Sequence, residues 1–293
     1  MGASAANEEP WTLMRLLQVS AKYLGEKGSP SARLDAELLL AHVLDTTRIK
    51  LYVDFDKPIQ DHERNAYREL IRRRAAGEPV AYLIGNREFY GRPFQVDARV
   101  LVPRPETELL VDIARRRFET DQAYRIADMG TGSGALAVTL AAEFPQATVD
   151  AVEVSEAALE VARENAARNG VQDRITFHHG SWVEPVQGKL FDWVVSNPPY
   201  IAEEDPEVEP GVRTHEPHAA LFPGPTGLEA VEILARDLPA VVKPGGLWLC
   251  EFGARQKDDI AALLSRMGWD AEFERDLAGL PRLFIARRPD SGA

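Results

Sequence analysis

The sequence predicts an open, mostly parallel α/β sheet with helices on both faces, preceded by a small helical domain and a hairpin linker. From residue 124 onward, short apolar runs alternate with helical segments, which is the pattern of a doubly wound sheet. Residues 11–74 instead carry their apolar side chains at helical spacing. A length of 293 residues is also more typical of two domains than of one.

The helical domain is predicted to cover residues 1–85. Leu13, Leu16 and Leu17 follow the spacing of an amphipathic helix. Ser31 has the residue type and position of an N-cap for a second helix. A third helical pattern ends at a cluster of arginines that is followed by a glycine and a proline. The segment therefore predicts a small all-helical unit.

Residues 86–105 are predicted to form a hairpin linker, because aromatic and apolar residues flank the turn-forming Gly91 on both sides. The linker ends in Pro103-Arg104-Pro105, and a helix is predicted from about residue 106 to 118. Proline is tolerated in a first helical turn because its missing N–H would have no partner there. Residues 106–293 are then predicted to form the α/β domain.

The α/β domain is predicted to alternate strands with helices. The candidate parallel strands are residues 125–129, 148–154, 175–178, 193–196 and 247–252. Two last strands, near 271–275 and 283–287, are predicted to form an antiparallel edge. In such sheets ligands bind at the carboxyl ends of the strands near the point where strand order reverses, so the loops after the strands are the candidate site.

The composition disfavours several classes of protein. The net charge is −12, whereas a domain that grips a long stretch of nucleic acid carries a basic stripe. Cys250 is the only cysteine, so no internal disulfide forms and a reducing compartment is expected. The N-terminal segment lacks the pattern of a signal peptide, and no run reaches the roughly 18 apolar residues of a membrane span. We expect a cytoplasmic protein.

A glycine-rich loop joins the first strand of this domain to a helix and consists of Gly130, Thr131, Gly132, Ser133 and Gly134. Alternate glycines let the backbone turn sharply and approach a ligand, and the helix N-terminus offers free N–H groups to an anionic group. The loop predicts a nucleotide-like ligand, although a tight turn without a ligand has the same local pattern. Its G-x-G-x-G spacing differs from the G-x-G-x-x-G of dinucleotide-binding loops.

Two residues that follow the next strands are candidate contacts of the same ligand. Glu153 ends the second strand, where a carboxylate can accept hydrogen bonds from both hydroxyls of a ribose. Trp182 follows the third strand, where its ring could lie against an adenine. A solvated loop acid and a buried structural tryptophan are the alternatives. The register of Glu153 with the glycine loop favours the ligand.

The most informative segment is Asn197-Pro198-Pro199-Tyr200, directly after an apolar strand. Two prolines restrict the backbone, so the loop is stiff. The Asn197 amide oxygen and the Pro198 carbonyl can together accept both hydrogens of a substrate NH₂ group, and Tyr200 offers an aromatic face. Such acceptors favour methyl transfer to a planar amide or aromatic amine nitrogen, because charge can build on the nitrogen as it attacks. The alternative is a proline-rich loop that only caps the strand.

These segments together resemble the release factor glutamine methyltransferases, and the likeness covers nearly the whole chain. The glycine loop with Asn-Pro-Pro-Tyr is shared with enzymes that methylate adenine N6. The residues that narrow the resemblance are Pro103-Arg104-Pro105-Glu106-Thr107-Glu108, the preceding block at residues 78–90, Glu216-Pro217, and Glu251-Phe252-Gly253 with Gln256.

The resemblance implies a Rossmann-like class I methyltransferase domain that binds S-adenosyl-L-methionine and releases S-adenosyl-L-homocysteine. It implies methylation of N5 of the glutamine in the Gly-Gly-Gln motif of peptide chain release factors, which the N-terminal domain helps to recognise. By matching motif, Gly130 through Gly134 would hold the donor, Glu153 its ribose and Trp182 its adenine region. Asn197 through Tyr200 would hold the glutamine amide, with Asn197 also beside the donor. Glu153 and Ser181 stand where the family usually has aspartate.

Three other functions remain open on the sequence: a ribosomal-protein glutamine methyltransferase, a nucleic-acid adenine-N6 methyltransferase, and a non-catalytic adaptor that binds S-adenosylmethionine. The adenine enzyme would need a target-recognition segment and a basic surface, and neither is visible. No metal is expected, because the proline in His215-Glu216-Pro217-His218 breaks the helical spacing that zinc sites of the H-E-x-x-H type use. The expected partner is a release factor, with no need for direct nucleic-acid or membrane binding.

Overall fold

The computed structural model describes residues 10–288. Contacts divide the chain into two compact units, one of Met1–Gly85 with Glu209–His215 and one of Asn86–Val208 with Glu216–Ala293. Residues 1–9, to which the expected lack of a signal peptide mainly refers, lie outside the described part. Among the helices of residues 10–288, none is long and apolar enough to cross a membrane.

The first unit is helical, and its helices pack through leucine-rich faces. Thr12 caps the first helix by accepting a hydrogen bond from the Arg15 N–H at 3.3 Å. Buried apolar side chains from every helix of residues 10–85 form one core. The helical character predicted for this part is confirmed. The helices are α1 (Leu13–Glu26), α2 (Ala32–Val43), α3 (Arg48–Val53), α4 (Asp61–Ala75) and α5 (Val80–Ile84).

Ser31 is the N-cap of α2 as predicted, but its side chain makes no capping bond to the helix backbone. Its hydroxyl donates to Asp35 Oδ1 at 2.8 Å, and the Ser29 hydroxyl donates to Oδ2 at 2.7 Å. Asp35 is buried and also pairs with Arg74 at 2.7 Å. A buried carboxylate without donors is costly, whereas water can satisfy an exposed first turn, so the serine hydroxyl binds Asp35.

The second unit begins with the predicted hairpin, formed by β1 (Asn86–Phe89) and β2 (Arg92–Gln95) in antiparallel register. Tyr90 and Gly91 form its turn with φ of 51° and 70°. The N–H of Gln95 donates to Oδ1 of the buried Asn165 at 2.7 Å, so the hairpin is tied to the second unit. The domain boundaries at residues 85/86 and 105/106 stay predictions.

The centre of the second unit is a seven-stranded sheet within residues 125–287. Its strands are β3 (Arg125–Met129), β4 (Thr148–Glu153), β5 (Ile175–His179), β6 (Phe191–Ser196), β7 (Val242–Glu251), β8 (Asp270–Arg275) and β9 (Pro281–Arg287), in the order β5-β4-β3-β6-β7-β9-β8. The first five strands in this order are parallel to one another, and β9 is antiparallel to both β7 and β8. The predicted doubly wound sheet and its antiparallel edge are confirmed. The strand order reverses between β3 and β6, whose carboxyl ends flank a crevice.

Helices cover both faces of this sheet. Trp193 of β6 packs in the core of one face, and its neighbour Val194 packs in the core of the other. A central strand buried on both sides holds the loop at its end in a fixed place. The first face carries α6 (Glu108–Arg117), α7 (Ala135–Glu143) and α8 (Glu156–Arg168). The second face carries α10 (Glu229–Asp237) and α11 (Lys257–Arg266). The remaining helix, α9 (Pro210–His215), belongs to the helical unit.

Helix α9 packs against the turn that follows α4. A Cβ on Gly211 would lie 2.6 Å from the carbonyl oxygen of Gly77, so only glycine allows this approach. His215 Nε2 lies 3.3 Å from the carbonyl oxygen of Ala76. The sequence pattern did not predict this contact, because it joins residues that are far apart in the chain.

Candidate active site

A cavity of ≈ 400 Å³ lies at the carboxyl edge of the sheet, where β3 and β6 are neighbours. This volume falls in the range of pockets for small ligands and cofactors. The loops after the four parallel strands β3, β4, β5 and β6 line it, together with the segment between β2 and α6. The lining includes Arg104, Thr107, Gly130, Thr131, Gly132, Ser133, Glu153, Ser181, Trp182, Asn197, Pro199 and Ala220.

Residues 130–133 of the glycine loop line the cavity, whereas Gly134 does not. Gly130 and Gly132 have φ of 80° and 54°, which glycine adopts without strain. Gly134 also has a φ of 80°, but a Cβ there would lie 3.2 Å from Cα of Ala162 on α8. Gly134 therefore allows α7 and α8 to approach each other and does not face the ligand space.

Asp128, near the end of β3, fixes the glycine loop through two hydrogen bonds. Its Oδ2 accepts hydrogen bonds from the Thr131 hydroxyl at 2.6 Å and the Ala137 N–H at 3.1 Å. Its Oδ1 accepts none from residues 10–288. Burial raises the pKa of the Asp128 carboxyl to about 7, and the two hydrogen bonds oppose that rise.

Glu153 lines the cavity and binds the glycine loop at the same time. Its Oε2 accepts a hydrogen bond from the Gly132 N–H at 2.9 Å, and its Oε1 accepts one from the Ser155 N–H at 3.0 Å. Each carboxylate oxygen keeps a further lone pair for a ligand hydroxyl. The Glu153 side chain therefore connects the end of β4 to the glycine loop.

Trp182 lies between the cavity and the core, and its proposed contact with an adenine stays a prediction. Its φ of 45° is unusual for a large residue. A Cβ on Gly130 would lie 3.5 Å from Cζ3 of the indole, so the ring lies over the glycine loop. The side chain lines the cavity and also packs against the core of the second sheet face. It is a structural tryptophan with one surface turned to the ligand space.

Asn197 and Pro199 line the cavity beside the glycine loop. Asn197 donates through Nδ2 to the Thr107 hydroxyl at 3.0 Å, and its Oδ1 accepts no hydrogen bond from residues 10–288. Pro198 is buried and does not line the cavity, and neither does Tyr200. The structure therefore brings Asn197 and Pro199, but not Pro198 or Tyr200, to the cavity that the glycine loop lines.

Tyr200 is fixed at both its backbone and its hydroxyl. Its hydroxyl donates to Glu251 Oε1 at 3.1 Å, and burial raises the pKa of this phenol well above its usual value. Gln256 Nε2 donates to the Tyr200 carbonyl at 2.9 Å and to the Gly227 carbonyl at 3.2 Å, while its Oε1 accepts from the Gly253 N–H at 3.0 Å. The Asn-Pro-Pro-Tyr loop is therefore held from the side of β7.

Thr107 and Glu251 are site residues to which the sequence analysis assigned no role. The Thr107 hydroxyl donates to Glu251 Oε2 at 2.6 Å. Burial raises the pKa of Glu251 to about 6, against the hydrogen bonds from Thr107 and Tyr200 that lower it. A signal was available: Glu251 is an acid that ends an apolar strand next to β6, just as Glu153 ends the strand on the other side of β3.

An ion pair closes another side of the cavity. Arg104 Nη2 lies 2.6 Å from Glu216 Oε1, and Glu216 Oε2 accepts from the Val102 N–H at 3.1 Å. Glu216 is buried, so its carboxylate is committed to these donors. Within residues 10–288 no group of three or more potential ligand side chains could hold a metal ion.

The chain is similar to known families and proteins along most of its length. Residues 15–85 match the family described as PrmC N-terminal domain, and residues 105–213 match the family described as Methyltransferase small domain. A release factor glutamine methyltransferase from Geobacter sulfurreducens is 41% identical over 95% of this chain and 98% of its own length. One from Rhodopirellula baltica is 40% identical over 98% of this chain and 99% of its own.

Solved structures of methyltransferases share the fold at lower identity. A methyltransferase from Pyrococcus furiosus has a TM-score of 0.52 and 20% identity, covering 69% of this chain and 91% of that one. A 16S rRNA methyltransferase from Thermus thermophilus, in complex with AdoMet and guanosine, also has a TM-score of 0.52, with 18% identity over 69% of this chain and 49% of that one. Given the relatives matched at about 40% identity along nearly their whole length, this chain belongs to the release factor glutamine methyltransferase family.

Proposed function

We propose that this protein transfers the methyl group of S-adenosylmethionine to the side-chain N5 of the glutamine in the Gly-Gly-Gln motif of peptide chain release factors. The observation that carries the proposal is the position of Asn197. Asn197 lines the same cavity as the glycine loop, and its Oδ1 accepts no hydrogen bond from residues 10–288. The family names support the same reaction, since the curated relatives are release factor glutamine methyltransferases.

The residues of the cavity suit S-adenosylmethionine, which when bound supplies an electrophilic methyl group on a sulfonium. We assign its binding to the backbone of Gly130, Thr131, Gly132 and Ser133 and to the Glu153 carboxylate, whose free lone pairs can accept from ribose hydroxyls. The cavity-facing surface of Trp182 is assigned to the adenine. Gly134 supports the glycine loop indirectly, because its lack of a side chain lets the start of α7 pack against α8.

The amide nitrogen of glutamine is a poor nucleophile because its lone pair is delocalised into the carbonyl. In the proposed mechanism Asn197 Oδ1 accepts one of its two hydrogens, so that positive charge can build on nitrogen as it attacks. The backbone carbonyl of Pro198, which lies outside the cavity lining of this structure, accepts the second hydrogen once the substrate is bound. The rigid Asn197-Pro198-Pro199-Tyr200 loop holds the nitrogen in line with the methyl group, and the proton leaves after transfer. The Tyr200 side chain shapes this substrate site through the loop that it anchors.

The remaining parts of the proposal concern partners and place. The helical unit, which matches the PrmC N-terminal domain at residues 15–85, is assigned to release factor recognition. Residues 86–105 are proposed as the hairpin linker and residues 106–293 as the methyltransferase domain. We propose a cytoplasmic enzyme that needs neither a metal nor direct contact with nucleic acid.

Mass spectrometry of the Gly-Gly-Gln peptide tests the reaction. The purified protein is incubated with S-adenosylmethionine and a recombinant release factor, and the peptide should gain the mass of one methyl group on glutamine. A release factor with Glu in place of this glutamine is the control and should gain none. Faster methylation of ribosomal protein or plasmid DNA would favour the other methyltransferases. Donor binding without transfer to any of these would favour the adaptor.

A further inference from the structure

The side chain of Asn197 can present either of two ends to the cavity. The carbonyl and NH₂ ends of a primary amide are nearly equal in size, but only the carbonyl end accepts hydrogen bonds. The proposed substrate nitrogen carries two hydrogens, so an NH₂ end turned towards it would repel it. Something in the protein has to select the carbonyl end.

Two side chains behind Asn197, those of Thr107 and Glu251, make this selection. An ionised Glu251 can only accept hydrogen bonds, so the Thr107 hydroxyl must donate its hydrogen to Oε2, 2.6 Å away. The oxygen of that hydroxyl is then left as an acceptor, and Asn197 Nδ2 donates to it at 3.0 Å. Asn197 Oδ1 is the only end that remains for the cavity.

We infer that Thr107 and Glu251 are positioning residues for methyl transfer, because the acceptor-only carboxylate of Glu251 sets, through the Thr107 hydroxyl, which end of the Asn197 amide faces the substrate. The second oxygen of the same carboxylate accepts from the Tyr200 hydroxyl at 3.1 Å, so Glu251 orients both ends of the Asn-Pro-Pro-Tyr loop. This inference rests on the proposed function, since it explains how the acceptor for the substrate amide is prepared.

Burial fixes the direction of the hydrogen bonds that join Asn197, Thr107 and Glu251. Thr107 is 4% exposed and Glu251 is 2% exposed, so bulk water has little access to replace either partner. Two charged groups act on the Glu251 carboxylate: Arg282 on β9 favours its ionised form, and Glu106 beside Thr107 disfavours it. Arg282 is shared with Asp276, which it approaches at 3.0 Å. Glu251 thus has neither a dedicated cation nor solvent, and its hydrogen bonds from Thr107 and Tyr200 are its main partners.

A purely structural role predicts different results from matched variants of Thr107. Valine keeps the shape of threonine but has no hydroxyl, whereas serine keeps the hydroxyl and removes a methyl group. If the residue orients Asn197, Thr107→Val should lower kcat about 10- to 100-fold while the donor Kd changes less than about 3-fold. Thr107→Ser should keep kcat within about 3-fold of the wild type. If packing alone matters, serine should be the more damaging change.

The pH profile tests Glu251 itself. Protonating Glu251 places a hydrogen on one of its oxygens, so the bond from Thr107 or Tyr200 breaks or reverses. The wild-type kcat should therefore fall as the pH drops through the pKa of Glu251, about 6. In Glu251→Gln, which cannot titrate, kcat should be lower near neutral pH and this acid limb should be absent.

The decisive measurement is single-turnover methylation of the release factor by wild type, Thr107→Val, Thr107→Ser and Glu251→Gln, with donor affinity measured on each protein to show that it is folded. A wild-type single-turnover rate in Thr107→Val, or an unchanged acid limb in Glu251→Gln, overturns the inference while the proposed function stands. A wild-type protein that methylates no release factor overturns the proposed function and the inference with it.

Discussion

The carboxylate of Glu153 accepts a hydrogen bond from the backbone N–H of Gly132 at 2.9 Å. The end of β4 therefore fixes the loop that follows β3, its neighbour in the sheet. A second bond, from the Ser155 N–H at 3.0 Å, keeps the carboxylate at the cavity edge. One side chain thus both shapes the glycine loop and lines the cavity.

Replacing Glu153 with alanine should weaken donor binding more than it slows the chemical step. The variant loses a charged acceptor for ribose and a hydrogen bond that holds the loop, so the donor Kd should rise about 10- to 100-fold. The kcat at saturating donor should change much less. Isothermal titration with S-adenosylmethionine gives the Kd. An affinity equal to that of the wild type would contradict the assignment.

Replacing Asn197 with alanine should have the opposite pattern. It removes an acceptor that acts on the substrate nitrogen as charge develops, so kcat should fall about 100- to 1,000-fold. Donor affinity should stay within a few-fold, because the glycine loop and Glu153 are untouched. Asn169→Ala is the matched control, since Asn169 donates to the Pro93 carbonyl at 3.2 Å and lies outside the cavity lining. Near-normal turnover in Asn197→Ala would remove the basis of the proposed mechanism.

Asp128 should make the stability of the protein depend on pH in a defined direction. Burial raises its pKa from 3.8 to about 7, so the folded state binds a proton that the unfolded state releases between these values. The stabilisation is complete below about pH 4 and is lost as the pH rises through 7. Asp128→Asn has no carboxyl group at this position, so its stability should not change with pH in this way.

Urea unfolding of wild type and Asp128→Asn at several pH values measures this effect. Relative to the variant, the free energy of unfolding of the wild type should fall by about 2–4 kcal/mol between pH 4 and pH 8. A difference that is constant across this range would show that the Asp128 carboxyl titrates at the same pH in both states.

Gly134→Ala should destabilise the fold through packing as well as backbone strain. A Cβ there would lie 3.2 Å from Cα and Cβ of Ala162, in addition to the cost of a φ of 80°. Gly170→Ala is the control, because Gly170 has a φ of 68° but no heavy atom within 4 Å of its Cβ position. We expect a loss of about 2–4 kcal/mol in the free energy of unfolding for the first and about 1 kcal/mol for the second. Equal losses of unfolding free energy in the two variants would show that a Cβ at Gly134 meets no tighter packing than one at Gly170.

Local sequence patterns were enough to predict the architecture and the residues of the site that lie at strand ends. The alternation of strands and helices predicted the doubly wound sheet, and positions at strand ends singled out Glu153 and Asn197, because every carboxyl end of a parallel strand reaches the same edge. The glycine spacing separated a loop for this kind of ligand from a dinucleotide loop. These features depend on neighbours in sequence, so the sequence alone determines them.

Only the tertiary structure decided which distant residues contact Glu153, Asn197 and the glycine loop. Thr107 and Asn197 are 90 positions apart, and Thr107 and Glu251 are 144 apart, yet the three form one hydrogen-bonded chain. The same folding turned Gly134 towards Ala162 and placed Gly211 against Gly77. Contacts between distant segments depend on which strands become neighbours and how closely helices pack, and a local pattern of residue types contains neither.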